Sequence, residues 1–571
     1  MTLARRGVSA VILALGVCGV GCAEKKKIVT TQSSAADDVS TRDAEASLLA
    51  TLEATPDFDH CKAALNQLDA IDQSVKGRPR PAAADVQETA KLLRLTQAEA
   101  GEYAQPTFTN ADAGYLEQSL FLRSAVNALE LSGKPPLDQA RLVFEWVCRT
   151  VYVSDRVKWP GAPGLTLEAG QGSALARAYL ILAAWQQVGL HGCFIGPKSL
   201  KDAAPFSPGD GTAAPVRLCG VKVDKNLYLF NPATGEPLLG PAGKTPVTWA
   251  ELSANLELAK DVAGVGQVSQ WQVFYAAPLQ AITARMAWLQ GRDPGHVGAV
   301  LAVDLPRLLK EFAADLGPKT VQLWLTESDP LSVSPWRVQE RYAEVDRKGA
   351  QATAPRDEHK ILLVPLELLP TINLEGLPLG SIRFEFAMPF MNLHYGPNAA
   401  MHLLARGQFK EATTQLSEVR MQADAAKTRA ARDPQLQADF VKWADQLQAF
   451  SAALARAQQR NDAAAEANAR QSLDAFVRSP RNLETQRVWV TGKAAKPLLA
   501  EANFMLALCV HERTLRLRQW TGTPDPGAWK VALDWWDRYL DASAQTGEAF
   551  ESRDAHAKKL RTQAAGLAGQ K

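Results

Sequence analysis

The sequence predicts an α+β protein that ends in an all-helical region. Two observations support this prediction. Between residues 132 and 245, two helical patterns are followed by three short apolar runs, which is typical of helices packed on a small antiparallel sheet. From residue 396 to residue 571, apolar residues recur at helical spacing with few interruptions. We expect a second α+β region, residues 246–395, between these two parts.

Composition and charge limit the classes of function. The chain has 571 residues, of which 46% are hydrophobic and 22% charged, so a disordered, collagen-like or multi-span membrane protein is excluded. Its length corresponds to about four compact units. Sixty-three basic residues against 61 acidic residues leave a formal charge of +2, and nothing in this balance favours a phosphate backbone. We therefore expect no nucleic-acid partner.

The first 22 residues are predicted to be a signal peptide. Two arginines precede the apolar run 7–21, which is too short to span a bilayer and leads directly into Cys22. This junction resembles the lipobox of bacterial lipoproteins, which implies that Cys22 is lipidated and becomes the mature N-terminus. The chain has Gly19 where that family usually has leucine. The alternative is ordinary cleavage near Ala23, and both possibilities imply export.

A polar segment and a helical segment follow the signal. Residues 23–43 are rich in Lys, Ser, Thr and Asp without an apolar period, which indicates a flexible tether. Residues 44–131 have leucines at helical spacing and are expected to form a helical leader. With Cys22 lipidated, we expect the protein to be membrane-anchored in the cell envelope and to face the periplasm or the exterior.

The cysteines and histidines give no support for a metal site. Of seven cysteines, Cys18 leaves with the signal and Cys22 is reserved for lipid, so five widely spaced cysteines remain. Cys193 and Cys219 lie in strand-like segments; a disulfide between them stays open, although buried unpaired thiols are favoured. The eight histidines are scattered, and neither a CxxC nor an HExxH motif occurs. We predict no metal and no cofactor.

Residues 132–245 are predicted to form a helix-plus-sheet module. An amphipathic helix, a Pro/Gly-rich loop, a second and more apolar helix, and three strands follow one another, and the last two strands are joined by a hairpin turn at 224–226. The predicted helices are 138–151 and 173–188, and the predicted strands are 190–195, 216–223 and 227–230.

Within this module the segment from Gly172 to Ala178, followed by an apolar helix that ends at Gly189, resembles the core of the transglutaminase-like domain. The strand that ends in Asn231-Pro232 is similar to a strand of the same family. The resemblance covers roughly a fifth of the chain. It implies a papain-like fold in which a cysteine at the helix start, a histidine on a following strand and an aspartate form the active site.

The catalytic residues of that family are missing from this sequence. The spacing to Ala178 and Gly189 places the nucleophile at Ala174, and alanine has no nucleophilic group. No histidine lies between residues 215 and 224, and Asn231 stands where the family has its aspartate. The resemblance therefore implies a pseudoenzyme, and we expect a non-catalytic scaffold or binding protein.

Two neighbouring groups define the alternative. Ser173 lies at the same helix start, where we expect it to cap the helix instead. His191 and Cys193 lie on one face of a strand and contain the residue types of a catalytic dyad, although they lack an orienting acid. With these groups the chain would be a divergent cysteine or serine amidase or peptidase that acts on peptide or cell-wall amides. A third possibility is that the vestigial cleft only recognises peptides or glycans.

Residues 246–395 show an alternation of strands and helices without a recognisable chemical motif. No phosphate loop, dinucleotide-binding glycine pattern or nucleophile elbow occurs here, so we expect a scaffold region. The predicted strands are 297–303, 321–325, 360–366 and 382–386, and the predicted helix is 305–316.

The last region, residues 396–571, contains one pattern twice. Phe409, Ala412, Leu416 and Val419 recur as Trp529, Ala532, Trp536 and Tyr539 with the same spacing, and this spacing places each set on one helix face. The pattern resembles the second helix of a tetratricopeptide repeat, with a helical insertion at 436–477. Such repeats imply protein or peptide partners, here other envelope proteins, and a cluster of tryptophans is a candidate to line the groove.

Overall fold

The structure is a computed structural model in which Ala46–Lys571 forms one compact unit. Apart from a few positions, it describes residues 57–74, 97–154, 162–197, 218–259, 271–292, 298–317, 321–323, 389–432, 434–523, 525–546 and 550–569, together with parts of 43–52. The described part is mostly helical with a six-stranded, largely antiparallel sheet and a separate pair of short parallel strands, which agrees with the α+β class. The predicted signal peptide and almost all of the predicted tether lie outside the described residues.

The described part of the leader region is mainly helical. Thr109 begins the third of them with a capping box, in which its hydroxyl accepts from the Asp112 amide while the Asp112 carboxylate accepts from the Thr109 amide. The Asp112 carboxylate also receives two hydrogen bonds from Arg285, a residue of the region 246–395. The leader is thus tied to the rest of the unit. Its helices are α1 (Phe58–Ser74), α2 (Gln97–Ala104) and α3 (Asn110–Asn127).

The predicted pair of helices before the sheet is confirmed. The second helix is almost entirely buried because it packs against α3, the preceding helix and one face of the sheet. Two short parallel strands flank the loop between the helices. In chain order the elements are α4 (Pro136–Thr150), β1 (Tyr152–Val153), α5 (Pro163–Ala169), β2 (Gln171–Gly172) and α6 (Ala174–Gln187).

The three predicted strands and their hairpin are also confirmed. They form the centre of a six-stranded sheet, and Asp224 adopts a positive φ of 53° in the two-residue turn, a conformation that aspartate tolerates. The strands are β3 (His191–Pro197), β4 (Leu218–Val223), β5 (Asn226–Asn231), β6 (Glu236–Pro237), β7 (Trp271–Tyr275) and β8 (Val321–Leu323), in the order β6-β5-β4-β3-β7-β8. Neighbouring strands are antiparallel except for β7 and β8, which are parallel.

The two faces of the sheet explain why Cys193 and Cys219 are both free. In the ladder, Phe194 lies opposite Cys219, so Cys193 belongs to the other face. Cys219 packs with α4 and α6, whereas Cys193 packs with two later helices on the opposite side. A disulfide between them would have to cross the sheet.

The region after residue 245 continues this sheet, because β7 pairs with β3 and β8 pairs with β7. The predicted helix 305–316 is confirmed, and β8 covers the first three residues of the strand predicted at 321–325. The strands predicted at 360–366 and 382–386 lie outside the described residues. The helices of this region are α7 (Trp249–Ala254), α8 (Ala284–Arg292) and α9 (Leu305–Leu316).

The strand predicted at 297–303 is wrong, because residues 298–304 are irregular. Side-chain amides take the place of a neighbouring strand as hydrogen-bond partners. Gln290 Oε1 accepts from the backbone amides of Leu301 at 2.9 Å and Ala302 at 2.6 Å, and Gln187 Oε1 accepts from the amide of Val300 at 3.0 Å. Ala299 and Leu301 of this segment are buried, but its backbone does not join the sheet.

The C-terminal region is all helical, and four of its helices pack side by side in the order α11, α14, α15, α16. The predicted faces are buried: Trp529, Ala532, Trp536 and Tyr539 are each 0% exposed, as are Ala412 and Leu416 of the first set. A short helix at 389–394 precedes the region. The others are α10 (Ala400–Ala405), α11 (Phe409–Arg432), α12 (Pro434–Gln459), α13 (Ala463–Arg478), α14 (Pro480–Thr521), α15 (Pro526–Ala544) and α16 (Glu551–Ala568).

Candidate functional site at the start of helix α6

The site that the sequence singles out lies at the first turn of α6. Ser173 is the N-cap, and its Oγ accepts from the backbone amide of Ala176 at 3.1 Å, as predicted. Ala174 is the first residue of the helix and is half-buried. The helix dipole favours an anion at this position, but alanine presents only a methyl group. The hydroxyl of the neighbouring Ser173 is engaged in capping the helix.

Arg177 lies one turn further along α6 and reaches toward the turn after β5. Its guanidinium donates to three backbone carbonyls: Nε to Pro232 at 2.5 Å, Nη1 to Val151 at 3.0 Å and Nη2 to Ala233 at 2.7 Å. The side chain is only 3% exposed, and burial lowers its pKa. Arg177 therefore joins α6, the end of α4 and the β5 turn by hydrogen bonds to neutral groups.

Asn231, which stands where the resembled family has its acid, is used in the same turn. Its Oδ1 accepts from the amides of Ala233 at 2.9 Å and Thr234 at 3.3 Å, which is an Asx turn. The side chain is 8% exposed. Its acceptor oxygen thus shapes the loop that Arg177 holds.

Helix α16 packs against this turn from the C-terminal region. Lys559 Nζ donates to the Thr234 carbonyl at 3.1 Å and lies 2.8 Å from Glu236 Oε1. His556 Nε2 is 2.9 Å from the carbonyl oxygen of Arg149, so this nitrogen carries the proton of a neutral ring. Burial lowers the pKa of His556 to about 3. Helix α16 is therefore docked beside the turn after β5.

The cysteines of this module are buried thiols. Cys148, Cys193 and Cys219 are at most 7% exposed, and burial raises the pKa of each. At Cys148 three nearby cationic side chains oppose this effect, but burial prevails. Because the thiolate is the nucleophile, none of these sulfur atoms is prepared for attack.

The structure does not bring Ser173 and His191 together. Ser173 precedes α6 and His191 follows it, and a helix of 14 residues separates them by about 20 Å along its axis. His191 lines a small, shallow depression with Tyr179, Gln186 and Tyr275. Cys193, which shares the strand with His191, is 0% exposed in the core below the sheet.

The tryptophans proposed to line a groove divide into two groups. Trp529 and Trp536 are buried in the C-terminal core, as their spacing predicts. Trp535 is half-buried and lies under the guanidinium groups of Arg420 and Arg538. Trp520 is 65% exposed at the end of α14. Only the last two offer aromatic surface.

Comparison of the chain with protein-family models, with curated proteins and with solved structures finds no match. Within the described residues, no helix is long and apolar enough to cross a membrane. The same part of the chain contains no group of three or more His, Cys, Asp or Glu side chains arranged to hold a metal ion.

Sequence reasoning missed the structural role of Arg177 and the contacts that Lys559 and His556 of α16 make beside it. A signal for Arg177 is present, since it is the only charged residue of the otherwise apolar α6. A buried charge in such a helix requires hydrogen-bond partners, so a structural role is the first inference. The identity of those partners is not encoded nearby, because two of the three lie more than 50 residues away.

Proposed function

We propose that this chain is a non-catalytic scaffold or binding protein of the cell envelope, built on a degenerate transglutaminase-like domain. The arrangement of α6 against the antiparallel strands β3, β4 and β5 is compatible with the papain-like fold that the resemblance implies. No comparison supplies this assignment, and it rests on the residues of the chain itself.

One observation carries the proposal: the site where chemistry is expected is occupied by structural hydrogen bonds. Ala174 replaces the nucleophile, the Asn231 amide is part of a turn, and Arg177 binds three carbonyls between them. A catalytic centre needs a nucleophile and a base within hydrogen-bond reach of each other. Ser173 and His191, at opposite ends of α6, do not provide one.

The helical region supports the binding part of the proposal. Four adjacent helices in an ordered row offer an extended surface of the kind that binds proteins or peptides. We infer that the partners are other envelope proteins or peptides. A lipid on Cys22 would hold this surface at a membrane.

The proposal is tested with the purified full chain and two matched variants, Ser173→Ala and Cys193→Ser. Glutamine-containing peptides and cell-wall peptides are supplied with an amine acceptor, and release of ammonia or of a new amine is measured. We expect no turnover above the blank for any of the three proteins. Turnover that iodoacetamide or Cys193→Ser abolishes would instead establish the amidase alternative.

A second experiment addresses the scaffold role directly. The scaffold role is supported if the wild type forms a stoichiometric complex with an envelope protein and the double variant Ser173→Ala, Cys193→Ser forms the same complex equally well. A complex that is lost in the double variant, while the thermal unfolding midpoint is unchanged, would show that these residues act in binding.

The anchor is tested by Cys22→Ala. We expect this variant to lose incorporation of a labelled fatty acid and to move from the membrane fraction to the soluble fraction. Cys18→Ala, which alters the apolar run but not the acceptor, serves as the control and should remain lipidated. Equal membrane association of both variants would contradict lipidation at Cys22.

A further inference from the structure

The exposed apolar side chains of the described residues are concentrated on the C-terminal helices. Of the six large hydrophobic side chains that are exposed, four lie on α11, α14 and α15. They are Met421 (58%), Leu517 (36%), Trp520 (65%) and Val531 (50%). A single exposed apolar residue is ordinary, but several on adjacent helices are typical of a surface that binds another protein.

Helices α11 and α15 both pack on α14 and leave a groove between them. Each has more extensive contact with α14 than with the other. Long side chains connect the two helices across the groove: the Arg420 guanidinium lies 5.7 Å from the centre of the Trp535 ring, and Lys427 Nζ donates to Gln545 Oε1 at 2.7 Å. The guanidinium of Arg538 lies 5.0 Å from the same ring. Trp535 is therefore an aromatic side chain between two cationic groups.

The Trp535 surface is defined by Arg420 and Met421 of α11 and by Val531, Trp535 and Arg538 of α15. Val531 lies one turn before Trp535 on the same flank of α15, because residues i and i+4 are neighbours on a helix. Trp535 is half-buried and Val531 is 50% exposed, so both offer apolar area to a partner.

The two guanidinium groups of this surface differ in their partners. Arg538 Nε lies 2.9 Å from Oδ2 of Asp534, an exposed i,i+4 pair. Arg420 has no ion-pair or hydrogen-bond partner among the described residues, and its Nε is enclosed without an acceptor. A guanidinium binds a carboxylate best when two of its N–H groups donate side by side. The surface thus combines an unneutralised positive charge with adjacent apolar side chains.

This combination fits an acidic helix better than a membrane. A helix presents an acidic and an apolar side chain on one face, so a carboxylate can reach Arg420 while apolar groups cover Val531 and Trp535. An anionic membrane is flat and would also meet Asp424, one turn from Arg420, and Asp534, next to Trp535. Both carboxylates are exposed and would repel it.

We propose that the Trp535 surface is a docking site for an acidic amphipathic helix of a partner protein. The proposal rests on the proposed scaffold role and specifies the chemistry of the partner. A carboxylate of the docked helix pairs with Arg420, and its apolar side chains pack on Val531 and Trp535.

The test measures binding of synthetic amphipathic helical peptides to the full chain by fluorescence anisotropy. The peptides share a leucine face and carry either glutamate or lysine beside it. We expect the glutamate peptide to bind the wild type about tenfold more tightly than the lysine peptide, and Arg420→Glu to weaken its binding about tenfold. Arg470→Glu reverses the charge of a 63% exposed arginine on α13 and is the matched control, which should bind as the wild type does.

A second variant keeps the proposal testable if Arg420→Glu fails to fold. Val531→Asp changes a side chain that is 50% exposed, and it should also weaken binding of the glutamate peptide. Equal binding of the glutamate and lysine peptides, or binding of neither, would overturn the proposal.

Two further outcomes separate this proposal from its neighbours. Phosphatidylglycerol vesicles that bind the wild type but not Arg420→Glu, without any preference for the glutamate peptide, would assign the surface to a membrane and overturn the proposal. A complex with an envelope protein that forms equally well with wild type and Arg420→Glu would leave the scaffold role supported and overturn docking at the Trp535 surface.

Discussion

Replacing Arg177 with methionine is the sharpest test of how α6 is joined to the turn after β5 and to the end of α4. Methionine is apolar, has a similar length and cannot donate hydrogen bonds. The variant leaves the carbonyl oxygens of Val151, Pro232 and Ala233 without the donors they have in the wild type, at distances of 3.0, 2.5 and 2.7 Å. Because Arg177 is 3% exposed, water does not simply replace the guanidinium.

The expected loss follows from these three contacts. A buried acceptor that loses its partner costs about 1–3 kcal/mol, so three acceptors give about 3–9 kcal/mol. Part of this loss is offset, because folding of the wild type removes water from the Arg177 guanidinium and folding of the methionine variant does not carry this cost. The same loss of hydration lowers the pKa of Arg177. We therefore expect the free energy of unfolding to fall by about 3 kcal/mol, the lower end of that range.

The assay is equilibrium unfolding in urea, followed by tryptophan fluorescence and by far-ultraviolet circular dichroism. Arg177→Lys retains the charge but not the planar fork, so we expect a loss between those of wild type and Arg177→Met. Arg141→Met is the matched control: Arg141 is 46% exposed and forms an i,i+4 pair with Glu145, so its removal should cost less than about 0.5 kcal/mol. If Arg177→Met also costs less than about 0.5 kcal/mol, the three hydrogen bonds of Arg177 do not stabilise the fold as argued.

Three further predictions concern thiols, a buried ion pair and acid stability. The five described cysteines are all buried and free, so a thiol reagent should not modify them until the protein is unfolded. Arg285→Met should lower the free energy of unfolding by about 3–5 kcal/mol, because it removes the cationic partner at 2.6 Å from the 0% exposed Asp112 carboxylate; urea unfolding measures this. Burial lowers the pKa of His511 to about 4 and of His556 to about 3, so their contribution to stability is present above about pH 6.5 and is lost as the pH falls toward those values. In that window each histidine should lower the free energy of unfolding by about 1.4 kcal/mol for every unit by which the pH falls. Thermal unfolding of His556→Gln should therefore depend less steeply on pH than that of the wild type.

Each of these predictions has an outcome that contradicts it. Rapid modification of any of the five thiols in the native protein would mean that the core around it opens. For the ion pair the control is Arg307→Met, which removes the exposed partner of Glu311 and should leave the free energy of unfolding almost unchanged. If Arg307→Met and Arg285→Met lower the free energy of unfolding equally, burial does not explain the effect of Arg285→Met. An unchanged acid slope in His556→Gln would show that this ring is not neutral in the folded protein.

The local elements of the fold are determined by the sequence itself. Apolar periodicity is sufficient to predict α4, α6 and α9, alternation and a turn are sufficient for β3, β4 and β5, and the serine before α6 is the cap that helix chemistry predicts. That position 174 is alanine and position 231 is asparagine is equally visible, because it depends only on residue identity. The signal peptide, the lipid anchor and the family assignment remain predictions from the sequence.

The tertiary structure alone decided which of these elements share a sheet and which polar groups meet. Residues 298–304 have the apolar character of a strand, yet glutamine side chains from two helices satisfy their backbone amides, whereas β7 does join β3. Arg177 and His394 find partners 55 and 107 residues away. A local pattern records the spacing of apolar residues, but a buried donor only requires some acceptor, and the choice of acceptor is made when distant segments pack together.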